Sequence, residues 1–202
     1  MKSTGKTEIQ QTFLHLLSKQ VDLSEKEQEI LLNLPIFKSF SKGTQLFNKG
    51  DVTNTYYLVL QGGIRTYSIV DGEDITTGLY IETEALLPAS TVMKIPSQYY
   101  ATCFEDSLVI VFTEEFEQHV FQEIPEFVSV CRKFSETLLV EKQESLDMYR
   151  TLSPEQRYVH LTKVKPELVQ RVPQYHLASF LGIRPESLSR IRKRLTRKSY
   201  TS

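Results

Sequence analysis

The residues best suited to chemistry lie near the carboxyl end, between Val172 and Leu195 (VPQYHLASFLGIRPESLSRIRKRL). Leu177, Phe180 and Leu181 fit the buried positions of one short helix, opened by Pro173. Ala178 is small where a second helix must cross closely, Gly182 supplies a turn, and Ile183 fills the space between helices. Pro185 then opens the second helix, in which Leu188, Ile191 and Leu195 return at spacings of three and four. Two short helices, a glycine turn and a small crossing residue make a helix-turn-helix pattern. The outward side of the second helix carries Glu186, Ser187, Ser189, Arg190, Lys193, Arg194 and Arg197. From Arg184 to Lys198 seven basic residues face one acid, a balance of +6. Such a helix fits the major groove of DNA. Arg190 can pair with guanine through two hydrogen bonds, and Glu186 can accept from a cytosine amino group. The serines, Arg184, Lys193 and Arg194 suit phosphates. Gln174, Tyr175 and His176 open the first helix and are also assigned to DNA contact, His176 near a phosphate.

The rest of the chain must position this reader. Ile9, Phe13, Leu16 and Leu17 share one helical face, and Ser24-Glu25-Lys26-Glu27 is a capping box for a helix ended by Pro35. From about Ser41 the pattern turns to strands. Tyr56–Leu60, Ile64–Val70, Ile75–Ile81, Gln98–Phe104 and Leu108–Phe112 are separated by turns, with Asp71-Gly72 a hairpin signal. No helix is expected between them, so they predict an antiparallel barrel or jelly roll. Thr113 caps a helix to Gln122, and Pro125 opens a longer one to about Tyr149. In it Phe127, Cys131, Phe134 and Leu138 form a stripe that suits either burial on the barrel or a seam with a second copy. Ser153-Pro154-Glu155-Gln156 starts a further helix, and the domain boundary is placed near Thr151.

Charge sharpens this division. The whole chain of 202 residues has a net charge of −1, yet residues 1–149 hold 12 basic and 22 acidic residues, whereas residues 150–202 hold 12 basic and three acidic. The balance of −10 against +9 points the carboxyl end toward a polyanion. No apolar run approaches the roughly 20 residues of a membrane span, and MKSTGKTEIQQ has no apolar core of a secretory signal. Two cysteines argue against a disulfide framework, and a reducing cytoplasm is expected. The four histidines are isolated, with no His-x-His, nucleophile elbow, phosphate-binding Gly-rich loop or His-Glu-x-x-His. Neither an enzyme, nor a metal site, nor a bound cofactor is expected.

The order of these segments resembles the Crp/Fnr-type transcription regulators over almost the whole chain. Phe47–Asp51, Tyr57–Gly62 and Glu105-Asp106-Ser107 stand where that family's sensor barrel has its turns and strand, and Pro154–Tyr158 and Ala178–Arg190 resemble its DNA-binding domain. The resemblance implies that Glu186 and Arg190 read bases. Pro185 departs from the Arg often found there, which implies a different operator. The sequence ends soon after this helix, so a long β wing is expected to be missing. In members that bind cyclic nucleotide, a Gly-Glu pair holds the ribose and an Arg the phosphate. Here the interval from Tyr80 to Cys103 contains neither Gly nor Arg; Ser97 falls at the Arg position, with Lys94 and Gln98 nearby as the remaining pocket candidates. No tight cyclic AMP binding is expected. No cysteine precedes Cys103, which argues against the amino-terminal iron–sulfur cluster of the redox variants.

The resulting expectation is an α+β chain with three parts. Residues 1–123 form an antiparallel β-barrel or jelly-roll sensor with flanking helices, 124–150 a long dimerisation helix, and 151–202 a small, mainly helical helix-turn-helix domain. The expected function is a cytoplasmic, homodimeric regulator that reads a near-palindromic site in double-stranded DNA. A small-molecule effector and contact with RNA polymerase are left open, and no membrane partner is expected. The alternative is a ligand-sensing module that acts through protein contacts.

Overall fold

The computed structural model describes residues 4–199; the three residues at each end, which fall in the outer two expected domains, lie outside the described residues, as do the side chains of residues 4–8, 198 and 199. Two helices come first, α1 (Thr4–Ser18) and α2 (Glu25–Asn33). The capping box at Ser24 forms as expected: its hydroxyl accepts from the Glu27 amide, and the Glu27 carboxylate accepts from the Ser24 amide at 2.7 Å.

Eight strands follow, β1 (Phe37–Phe40), β2 (Gln45–Phe47), β3 (Thr55–Gln61), β4 (Ile64–Val70), β5 (Glu73–Tyr80), β6 (Ala85–Leu86), β7 (Tyr100–Cys103) and β8 (Ser107–Thr113). They make two four-stranded antiparallel sheets, in the orders β1-β8-β3-β6 and β2-β7-β4-β5. This is the expected jelly-roll class. Alternation explains the layering. On β3, Tyr57 and Val59 point into the barrel with Val109 of β8, Ile64, Leu86, Ala101 and Cys103. Leu58 and Leu60 on the opposite face join Leu108 and Ile110 under the helices. Strand β1 and helix α3 are among the elements that depart from the sequence reading. Strand β1 begins at Phe37, before Ser41, because it pairs with β8 from Phe37–Ile110 to Phe40–Ser107, a partner more than 60 residues away. A short helix, α3 (Ala89–Met93), interrupts the strands.

Helix α4 (Glu114–Glu123) is capped by the Thr113 hydroxyl, and α5 (Phe127–Thr151) is the long helix. Its start, with Phe127 and Val130, packs with Phe13, Leu17, Leu31, Val120 and Ile124. The carboxyl-terminal part holds α6 (Pro154–Val164), α7 (Pro166–Arg171), α8 (Gln174–Phe180) and α9 (Pro185–Ser199). Ser153 caps α6 as expected and forms a capping box with Gln156. These helices do not bury their apolar residues alone. Tyr158, Leu168, Val169, Leu177, Leu181 and Leu188 share one cluster with Leu79, Ile81 and Phe104 of the barrel.

Phe104 and the turn between β3 and β4 are mutually dependent. Gly62 has φ +90°, and a Cβ there would lie 2.4 Å from the Asp106 carbonyl oxygen. Both the conformation and the backbone contact require glycine. Gly62→Ala should therefore lower stability by roughly 2 kcal/mol, read as a fall in the urea midpoint at unchanged slope.

Candidate nucleic-acid interface

The helix-turn-helix is built from local rules. Helix α8 ends in a two-bond cap: the Ile183 amide donates to the Ala178 carbonyl and the Gly182 amide to that of Ser179, each at 3.0 Å. Gly182 sits at φ +71° with nothing near its absent Cβ, so conformation alone selects glycine. Ala178 is fully buried, as is Leu188 opposite on α9, with Ile191 nearly so. Ile183, Phe180 and Leu195 close the edges of this core. The spacing read from the sequence is therefore the spacing that packs.

With that face committed, the other face of α9 is exposed. Glu186, Ser189, Arg190, Lys193 and Arg194 are exposed, and so is Arg184 just before the helix. Ser187 is half-buried and accepts from the Arg190 guanidinium at 3.2 Å, which holds Arg190 along the helix surface. Arg194 is ion-paired with Glu155 of α6. Gln174 is exposed, and its side chain donates to the Pro185 carbonyl at 3.1 Å, clamping the start of α8 to the start of α9. Tyr175 is 60% exposed. These residues lie together on and beside α9.

His176 is the correction. It is only 8% exposed, turned into the chain rather than toward solvent. Its environment is the junction between α8 and β5: the neighbouring Ser179 hydroxyl accepts from the Thr76 amide at 2.9 Å, and beneath lies Arg65, paired with Asp74 at 2.5 Å. Burial, together with the nearby Arg65 and Lys42 charges, outweighs Asp74 and lowers the His176 pKa to about 4. A histidine that is neutral and enclosed is not a phosphate ligand in this arrangement. The helical face was legible; the barrel strand covering it was not.

The three expected pocket residues do not converge. Lys94, in the left-handed region at φ +54°, reaches outward to Glu114 at 2.6 Å. Ser97 is 3% exposed, but its hydroxyl donates to the Tyr99 carbonyl at 2.7 Å, and its amide to that of Asp51. Gln98 is exposed and donates to the Pro96 carbonyl. Nearby, the Thr53 hydroxyl bonds with those of Ser90 and Thr91. The polar groups of this corner satisfy one another.

On α5 the expected stripe faces the chain's own body. Phe127 is buried, and Cys131, Phe134 and Leu138 are half-buried on the same side. The large apolar residues left exposed on this helix are Val128, Leu139, Val140, Leu146 and Tyr149. Of these Val128, Leu139 and Leu146 share a flank, at spacings of eleven and seven.

The sequence reading missed one cluster altogether. Arg171, at the end of α7, donates from both terminal nitrogens to Glu82 at 2.7 and 2.9 Å, to Glu105 at 2.6 Å and to the Gly62 carbonyl at 2.8 Å. A lone Arg at a helix end carries no signal that its partners lie 66 to 109 residues away.

His176 makes a pH-dependent contribution with a definite sign. Its pKa is depressed from 6.5 to about 4 in the folded chain, so below 6.5 the unfolded chain takes up a proton that the folded chain refuses. Stability from this group is fully present above pH 6.5, falls as pH drops toward 4, and levels off below. His176→Asn should flatten that part of the melting-temperature profile between pH 6.5 and 4, measured against the parent.

Comparison with known proteins bears on the whole architecture. Residues 37–123 match the cyclic nucleotide-binding domain family. No curated protein matches the sequence. Among solved structures, FixK2 from Bradyrhizobium japonicum is 18% identical with a TM-score of 0.64, covering 81% of this chain and 85% of its own. The c-di-GMP responsive global regulator CLP of Xanthomonas campestris is 18% identical with a TM-score of 0.63, covering 87% and 93%. A CooA mutant from Carboxydothermus hydrogenoformans is 15% identical with a TM-score of 0.64, covering 92% and 84%. The chain thus has the fold of the Crp/Fnr regulators, and residues 37–123 are the part that resembles the cyclic nucleotide-binding domain family.

Proposed function

We propose that this chain is a homodimeric transcription regulator that binds double-stranded DNA sequence-specifically through α9. The observation that carries the reading is the exposed basic face of α9 over a packed helix-turn-helix core. Arg190 and Glu186 are assigned to bases, while Arg184, Lys193 and the serines are assigned to phosphates. Arg194 joins the phosphate contacts only by exchanging its ion pair with Glu155. His176 is left out of this set.

The homodimer is assigned to the Val128, Leu139 and Leu146 flank of α5. Leu139 is 72% exposed and Leu146 53%, in a heptad relation that suits a two-helix seam. Two α9 helices related by a two-fold axis would read half-sites about one helical turn apart. Among the described residues no helix is long and apolar enough to cross a membrane; the cytoplasm is proposed as the place of action.

The domain at 37–123 is proposed to respond to something other than cyclic AMP. A cyclic phosphate brought beside Ser97 would meet no arginine there and would displace hydroxyls already bonded to one another. Titration calorimetry with cyclic AMP should give no saturable heat; tight saturable uptake would overturn this part of the reading.

The DNA reading is tested by two substitutions in a gel-shift salt series. Affinity should fall steeply with salt, since each phosphate contact releases counterions. Arg190→Ala should cost roughly 1–3 kcal/mol at the cognate base and relax specificity there. Lys193→Ala should weaken all sequences alike and flatten the salt slope by about one unit. Identical behaviour of the two variants would refute the division of roles.

A further inference from the structure

The amino end of α9 has little of its own to hold it. Helices α2, α4 and α6 each start under a Ser or Thr hydroxyl that accepts from the first turn. The residue before α9 is Arg184, whose side chain carries donors only and cannot do this. The Arg184 carbonyl accepts from the Ser187 and Leu188 amides at 3.0 and 3.2 Å, and the Ser187 hydroxyl accepts from Arg190. Pro185 fixes the backbone of the first turn but brings no N–H. The hold comes from the other helix: Nε2 of Gln174, in the first turn of α8, donates to the Pro185 carbonyl at 3.1 Å.

This bond acts at a distance from the packed crossing of the two helices. The crossing centres on Ala178 and Leu188, both fully buried. Gln174 stands four residues before Ala178, and Pro185 three before Leu188. At about 1.5 Å of rise per residue, the bond lies roughly 5–6 Å from the crossing. The crossing is a pivot, and a second contact at that distance opposes rotation about it. A slip of about 1 Å at the bond would turn α9 by roughly 10°, which is already at the edge of the tolerance of a recognition geometry. Glu186 follows Pro185 directly, and Arg190 lies just past Leu188, so both move with that rotation.

We propose that Gln174 is a positioning residue for base reading: it clamps the starts of α8 and α9 together and so holds Glu186 and Arg190 in register with the bases, rather than acting through a phosphate contact of its own. The proposal rests on the DNA-binding reading above and gives that site a specificity residue that touches no base. Gln174 is exposed, so in the free chain water competes for its amide. A duplex laid over α8 and α9 excludes that water and strengthens the bond in the bound state. The two roles differ in what their loss does. A lost phosphate contact weakens every sequence alike, because phosphates carry no sequence information. A lost clamp weakens only the sequence that Glu186 and Arg190 read.

The test uses the full chain and two fluorescent duplexes, one selected by the parent protein from a random pool and one with the same bases shuffled. Gln174→Met keeps the side-chain length and removes the donor. It should lower affinity for the selected duplex about fivefold and leave the shuffled duplex unchanged. In an Arg190→Ala background the same substitution should cost only about twofold, because the arginine it aims is gone. Gln174→Lys keeps a nitrogen donor; its charge should tighten both duplexes, with the parent's ratio between them retained. In the free chain, Gln174→Met should speed hydrogen exchange at the Ser187 and Leu188 amides while the barrel strands stay protected. Equal loss on both duplexes would assign Gln174 to a phosphate and overturn the proposal. So would an unchanged ratio in Gln174→Met, a ratio lost in Gln174→Lys, full additivity with Arg190→Ala, or protection lost throughout the barrel, and each would leave the DNA-binding reading intact. A parent protein that selects no sequence from the pool would overturn that reading as well.

Discussion

Leu79, Ile81 and Phe104 are apolar side chains of the barrel that must be covered, and the carboxyl-terminal helices are what cover them. A segment of about 50 residues buries too small a fraction of its surface to be well stabilised alone. Here α6 to α9 enlarge their core by borrowing these three residues. The same contact fixes where α8 lies, and α8 in turn fixes α9 through the close crossing at Ala178 and the cap at Gly182. The direction of the basic face thus follows from barrel packing as well as from the helix-turn-helix itself. Phe104 cannot be moved freely either, because a Cβ on Gly63 would overlap its ring at 2.1 Å.

The division of charge along the chain serves two different interactions. Of the basic residues after Arg150, several are used internally. Arg171 and Lys165 hold barrel carboxylates, Arg194 holds Glu155, Arg157 stacks over Tyr149 at 4.6 Å, and Arg192 donates to the Val169 carbonyl. Lys163, Arg184, Arg190, Lys193 and Arg197 remain exposed. Net charge by itself would have credited all of these to a polyanion. Counting which cations face solvent narrows the candidates for DNA contact, and most of those left lie on α9 or just before it. The acidic barrel both attracts the basic segment within the chain and repels phosphates outside it.

What could be read from the sequence was what is local. The capping boxes at Ser24 and Ser153, the αL cap at Gly182, the period of Leu188 and Ile191, and the alternation in β3 and β8 all involve partners a few residues away or a single face. These were legible, and they carried the fold class and the helix-turn-helix. What failed was long-range. Strand β1 exists because β8 pairs with it. Amphipathic spacing identified a helical face on α8 and on α5 but not what that face meets. On α8, β5 encloses His176, and on α5 the barrel takes the stripe from Phe127 to Leu138. The residues at 94, 97 and 98 were placed together by position in a family pattern, yet a left-handed backbone at Lys94 sends it to Glu114 instead.

Residues 81–84 show why the parts of this chain are mechanically coupled. The Glu84 carboxylate accepts from the Ile81 amide at 2.8 Å, which tightens the turn between β5 and β6 around Thr83 at φ +71°. Glu82 projects from that turn to Arg171, Glu84 to Lys165, and Ile81 into the shared core. The same turn walls a cleft of about 480 Å³ whose other sides are Phe134 and Leu138 of α5 and Val164 and Pro166 of the carboxyl-terminal part. Barrel, long helix and carboxyl-terminal helices therefore meet on one four-residue turn. A displacement of any of them must be accommodated by breaking an ion pair, opening the cleft or exposing Ile81, and each of these alternatives is a discrete change rather than a gradual one.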